Sequence, residues 1–173
     1  MFLEQGSEQP RWIPFWDNLF QPRGSWQQQA TRALAETALF AHVPRRVLGR
    51  LVEGMYHREY EDGEVIFRTG DSGLGMYLVL SGSVTIALEG RPLAELKPGA
   101  LFGEVALFGD DVRTADALAS SRTELVGLFR PELQEWVERS PKLGVKVLQQ
   151  LGKMLAERLR HTNERLVAAE LSK

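Results

Sequence analysis

The chain contains no cysteine among its 173 residues. That excludes a disulfide framework and any thiolate metal site. An excess of one charge sign is also missing, since 21 Lys and Arg against 23 Asp and Glu leave a formal net charge of -2. No global field therefore draws the protein to nucleic acid or an anionic membrane. No apolar run approaches the length of a transmembrane span. The first residues hold Glu4 and Glu8 without a basic apolar leader, so they do not read as a signal peptide, and a cytoplasmic protein is expected. Histidine is scarce. His42, His57 and His161 stand far apart with no H-x-H or H-E-x-x-H spacing, so no metal is expected. Neither a G-x-S-x-G nor a P-loop pattern occurs, and an enzyme is not expected.

What remains is 43% hydrophobic and 25% charged, the make-up of an ordinary globular domain with an appendage. Trp12, Phe15, Trp16, Leu19 and Phe20 fall on one face of a short helix within an N-terminal extension spanning residues 1–37. That aromatic stripe suits packing on its own domain or on a dimer mate, docking of a protein partner, or interfacial membrane binding. The lack of a lysine-rich polar face disfavours the membrane reading. Ser25 to Glu36 predicts a second helix, and Pro44 opens a third over Arg45 to Val52.

From Met55 to Phe129 the hydrophobic period falls to two. Val65-Ile66-Phe67, Met76 to Leu80 and Ser83 to Leu88 read as short strands, with glycines at turn positions between them. Glu89-Gly90-Arg91-Pro92 and Lys97-Pro98-Gly99 read as turns. The expected class is α+β: a β jelly-roll barrel over residues 38–139, flanked by N-terminal helices and a long C-terminal helix over residues 140–173. Val84, Ile86 and Leu88 would share one strand face as an apolar wall.

The stretch from Leu101 to Ala115 carries the chemistry. Glu104 and Arg113 stand across a small apolar and glycine frame. A guanidinium is a planar fork of donors suited to phosphate, and an ionised carboxylate is an acceptor suited to sugar hydroxyls. Amide groups at the start of a short turn add an anion-binding concavity. Together they describe a nucleotide pocket.

Phe102-Gly103-Glu104-x-Ala106-Leu107 followed by Arg113-Thr114-Ala115 resembles the phosphate-binding cassette of the cyclic-nucleotide-binding domain family. The resemblance extends upstream through Asp62-Gly63-Glu64-x-Ile66, Gly70-Asp71 and Tyr77 to Val84, in the family's order. It implies that Arg113 takes the cyclic phosphate and Glu104 the ribose 2′-OH. Phe102, Gly103, Val105, Ala106, Thr114, Ala115 and Ile86 would complete the site around cAMP or cGMP. Two features depart from the family's pattern: Val112 stands where proline is usual, and Asp116 where threonine or serine is frequent. Strand alternation from Arg113 would turn Asp116 away from the ligand.

Pro141 opens a helix predicted to run to about residue 170. Leu148, Leu151, Leu155, Leu159, Leu166 and Ala169, with Thr162, follow at steps of three and four, which suits a coiled-coil homodimer. A single amphipathic helix packed on the strands accounts for the first turns only. The basic residues, Arg158 among them, alternate with Glu157 and Glu164 and read as a solvated face. Leu155-Ala156-x-Arg158-Leu159 and Thr162-Asn163-Glu164 resemble the dimer helix of catabolite activator-type regulators. That resemblance implies that Thr162 and Asn163 cap the base, and it favours cAMP over cGMP. No helix-turn-helix pattern follows within the 173 residues, so direct DNA binding is not expected of them. The alternative is a ligand-free interaction module that docks a partner through the aromatic helix.

Overall fold

The structure, a computed structural model, describes residues 25–108 and 112–171. The expected aromatic helix at residues 12–20 lies outside the described residues, as do Asp110 and Asp111. Two helices come first, α1 (Ser25–Glu36) and α2 (Arg45–Glu53). Eight strands follow: β1 (Tyr56–Tyr60), β2 (Val65–Phe67), β3 (Gly75–Ser81), β4 (Val84–Leu88), β5 (Arg91–Leu96), β6 (Leu101–Phe102), β7 (Asp116–Ala119) and β8 (Thr123–Phe129). A 3-10 turn, Glu104–Leu107, interrupts them after β6, and α3 (Arg130–Arg139) and α4 (Pro141–Leu171) close the order.

The strands pair antiparallel in two four-stranded sheets, ordered β1-β8-β3-β6 and β2-β7-β4-β5 among the described residues. The expected β jelly roll is present as two facing sheets with open edges. The reason lies at the ends. β6 has two residues and β5 carries Pro92, which cannot donate to a ladder and belongs on an edge.

In the first sheet the central strands β3 and β8 are buried on both faces. Met76, Leu78 and Leu80 of β3 and Val126 and Leu128 of β8 meet Ala30, Leu34, Leu48, Leu51, Leu133, Trp136, Val147 and Leu151 from the four helices. Val79 and Leu125, on the opposite face, meet Val84, Ala117 and Ala119 of the second sheet. A strand covered twice reads as a continuous apolar run, which is why Met76 to Leu80 does not alternate. Leu34, Leu48 and Phe40 are fully buried, and truncating any to alanine would cost about 2–5 kcal/mol.

Two sequence expectations change here. The β4–β5 ladder slips between Ile86 and Ala87, so Ala87 turns inward and Leu88 lies exposed at the hairpin. Leu88 therefore leaves the apolar wall that strict alternation would give it. On α4, Leu151 packs into the helix-and-sheet core rather than the expected dimer seam, because it shares a face with Val147. Val145, Leu148 and Leu159 are exposed in the single chain and, with Leu155 and Thr162, follow one another at heptad spacing.

Candidate functional site

The 3-10 turn is built around Gly103. Its φ of 74° lies in the left-handed region, and a Cβ there would stand 2.6 Å from Arg113 Nη1. Glycine is required twice over, by the backbone and by the guanidinium beside it. The turn is pinned from outside by Arg130, whose Nη2 donates to the Ala106 carbonyl at 2.8 Å.

Arg113 is buried, with 6% of its surface exposed. The loop before β3 fixes its backbone: Arg113 N–H donates to Asp71 O and Gly70 N–H donates to Arg113 O, both at 2.8 Å. Its Nη1 donates to the carbonyls of Gly75 at 2.8 Å and Gly103 at 3.1 Å. The guanidinium lies over the Phe67 ring, 4.1 Å from its centroid, with Tyr77 at 5.5 Å. Stacking and bonding together lock the plane of the fork. Burial lowers its pKa from the usual arginine value, while Tyr77, Asp71 and Glu104 act in the other direction. The buried Nε meets no acceptor among the described residues. An unpaired buried donor is costly, and this one sits beside a cavity.

Glu104 is 2% exposed and pairs through Oε1 with Nη1 of Arg158, on α4. Arg158 Nη2 donates to the Leu101 carbonyl at 2.8 Å. The reading of Arg158 as part of a solvated face is therefore corrected. Its side chain is 47% exposed, yet its head reaches back to the sheets and closes over the carboxylate. A buried carboxylate needs such a partner, because leaving it alone carries a large desolvation cost.

Between these groups lies a cavity of about 140 Å³, lined by Phe67, Ile86, Phe102, Gly103, Glu104, Val105, Ala106, Val112, Arg113, Thr114, Ala115 and Arg158. The nine residues expected around the ligand all line it. Thr162 and Asn163 do not: both are exposed, and Thr162 Oγ1 donates to the Arg158 carbonyl at 2.9 Å within its own helix. Asp116 also stays out of the cavity. Its Oδ1 accepts from the Thr69 N–H at 2.7 Å and the Thr69 hydroxyl at 2.9 Å, and these bonds lower its pKa. Phe67, Val112 and Arg158 were missed from sequence as lining residues. For Arg158 a signal existed, since it precedes Thr162 by one helical turn on the same face.

Residues 57–140 match the model of the cyclic nucleotide-binding domain. That stretch of the chain belongs to the cyclic nucleotide-binding domain family. A cyclic AMP receptor protein of Thermus thermophilus is 40% identical over 111 residues, which is 61% of this chain and 50% of that protein. A CRP-like cAMP-activated global transcriptional regulator of Mycobacterium tuberculosis is 30% identical over 138 residues, 77% of this chain and 60% of that one. The crystal structure of a Thermus thermophilus catabolite activator protein superposes with a TM-score of 0.67 at 36% identity, covering 75% of this chain and 62% of that one. The chain thus spans half to three fifths of these curated relatives' length. Among the described residues no helix is long and apolar enough to cross a membrane.

Proposed function

We propose that this domain is a non-catalytic sensor that binds a cyclic nucleotide, cAMP in preference to cGMP, and reports occupancy through α4. One observation carries the reading. Arg113 is held rigid at the cavity wall with a buried Nε that lacks an acceptor, next to a buried carboxylate. A cyclic phosphate supplies acceptors and the compensating charge, and its ribose hydroxyls match Glu104. The names of the Thermus and Mycobacterium relatives support cAMP as the ligand.

The cavity's size supports the conformational half of the proposal. Sites that enclose small ligands run from roughly 300 to 1,000 Å³, whereas this one holds about 140 Å³. A nucleotide therefore enters only as the α4 wall gives way or the turn opens. Glu104 has two oxygens: Oε1 is taken by Arg158, and a ribose hydroxyl would meet Oε2. Ligand and helix then share one carboxylate, so occupancy biases where α4 sits. The exposed heptad positions of α4 make a homodimer the natural receiver of that change.

A second reading rests on the same pair. Glu104 is already satisfied by Arg158, as in an interaction module that has no need of a ligand. Calorimetric titration of cAMP and cGMP, with 5′-AMP as the control, separates the two. Saturable cAMP binding without 5′-AMP binding is expected, and no binding of either cyclic nucleotide overturns the sensor reading.

A further inference from the structure

A second concavity, separate from the cavity above, runs between α1 and α2. Its volume is about 970 Å³, and Arg32 of α1 lines it with Arg45, Arg46 and Arg50 of α2. Against these four stands one lining acid, Glu53. All four guanidiniums are exposed, and among the described residues none has a hydrogen bond or ion pair. Three other exposed arginines are matched, Arg58 with Glu64, Arg122 with Glu59 and Arg139 with Glu135, whereas Arg91 and Arg160 stand singly without an ion pair among the described residues. The first turn of α2 holds no acidic residue, and Pro44 gives it no side-chain cap. Arg45 and Arg46 thus stand at the positive end of the helix dipole, where the protein itself disfavours them.

The floor of the groove adds an independent sign. Gly49 lies in the interior of α2, where glycine destabilises a helix relative to alanine. A Cβ at Gly49 would meet nothing within 4 Å, so no neighbour in the chain demands glycine there. Its effect is to leave bare backbone between the arginines, open to close approach from outside.

We propose that this groove docks an acidic polypeptide segment, its carboxylates paired with the four guanidiniums and its main chain laid against Gly49. The arginine fork matches a carboxylate in a bidentate manner, which a lysine cluster would not. Gln28 on the α1 wall offers both a donor and an acceptor to a peptide main chain. Nucleic acid and anionic membrane fit less well. Each responds to a broad positive field, and the whole chain has a net charge of -2.

The test uses the full chain, so that residues 1–24 are present, and a short fluorescent Glu/Asp-rich peptide followed by anisotropy. Saturable binding that weakens as salt rises is expected. Arg46→Glu with Arg50→Glu should weaken it by about tenfold or more, while cAMP titration and the melting curve stay as in the unmodified protein. Gly49→Leu is the steric arm, since a Cβ at Gly49 meets nothing within 4 Å and the added bulk enters the groove, and it should also weaken binding while the melting curve checks the fold. Three results overturn the proposal. One is no peptide binding by the full chain. Another is a Gly49→Leu protein that binds as before, which reduces the effect to diffuse charge. The third is tighter binding of single-stranded oligothymidine or of phosphatidylserine vesicles than of the peptide.

Discussion

The cavity has two walls of opposite character. One comes from the sandwich, where Arg113 is buried, stacked on Phe67 and tied to two carbonyls. The other comes from α4, where Arg158 is half-exposed and reaches its carboxylate from a helix that continues beyond the core. Both are arginines facing one pocket. The first is tied into the turn at Gly103, whereas the second is carried by α4, the helix that the proposed sensor would move. A rigid cation suits recognition, because no ordering cost falls due on binding. A mobile one suits signalling, because the ligand can change its position.

The contrast breaks most completely at Arg113. Arg113→Ala should weaken cAMP binding by about a hundredfold or more, since each lost bond to a charged group is worth about 1.5–3 kcal/mol. Arg113→Lys keeps the charge, loses the fork and its stacking, and should fall between alanine and the unmodified protein. Calorimetry on the three proteins, with melting curves as the folding control, reads that order. Equal affinities would remove the phosphate contact from Arg113.

Gly103→Ala attacks the same wall through its frame. Both the positive φ and the 2.6 Å approach to Nη1 oppose a methyl group. Strain of about 1–3 kcal/mol should lower the melting temperature by roughly 2–10 °C and weaken cAMP binding as Arg113 is displaced. An alanine variant with unchanged melting and affinity would show that the turn relaxes freely.

The rigid wall was also the wall that the sequence made legible. Glu104 and Arg113 stand close together in the chain within one turn and strand, so their types and spacing announce the chemistry. The strand periods and the glycine-marked turns located β2, β3 and β4 for the same local reason. Arg158 was not legible in this way. Its role depends on α4 folding back across the sheets, and its neighbours in sequence, Glu157 and Arg160, give it the look of a solvated residue. Leu151 misled similarly, since helical spacing states which residues share a face but not which body that face meets. Leu88 was lost to a bulge that no residue in β4 advertises.

On the α4 wall a smaller loss of affinity and a larger loss of response are expected. Arg158→Ala should weaken cAMP binding by about tenfold, the effect of one charged partner lost from Glu104. Hydrogen exchange along residues 152–171 should respond to cAMP in the unmodified protein and cease to respond in the variant. Loss of affinity with the response intact would make Arg158 a support for Glu104 and nothing more.

The smallest effect belongs to Thr162, and it depends on assembly. In the single chain Thr162 is exposed, its hydroxyl bonded to the Arg158 carbonyl, and it does not line the cavity. A cap on the base from this position requires α4 to move, which a second copy packed along the heptad positions would stabilise. Leu148→Glu with Leu159→Glu places charges at two of those exposed positions and should yield a monomer by sedimentation. Thr162→Ala should then cost at most about 1 kcal/mol, roughly a fivefold loss, in the dimer. In the monomeric background it should change nothing. Comparing cAMP affinities across the four combinations isolates a coupling between Thr162 and assembly. An equal loss in dimer and monomer would mean that α4 closes over the base within one chain, and the α4 wall would act without a partner.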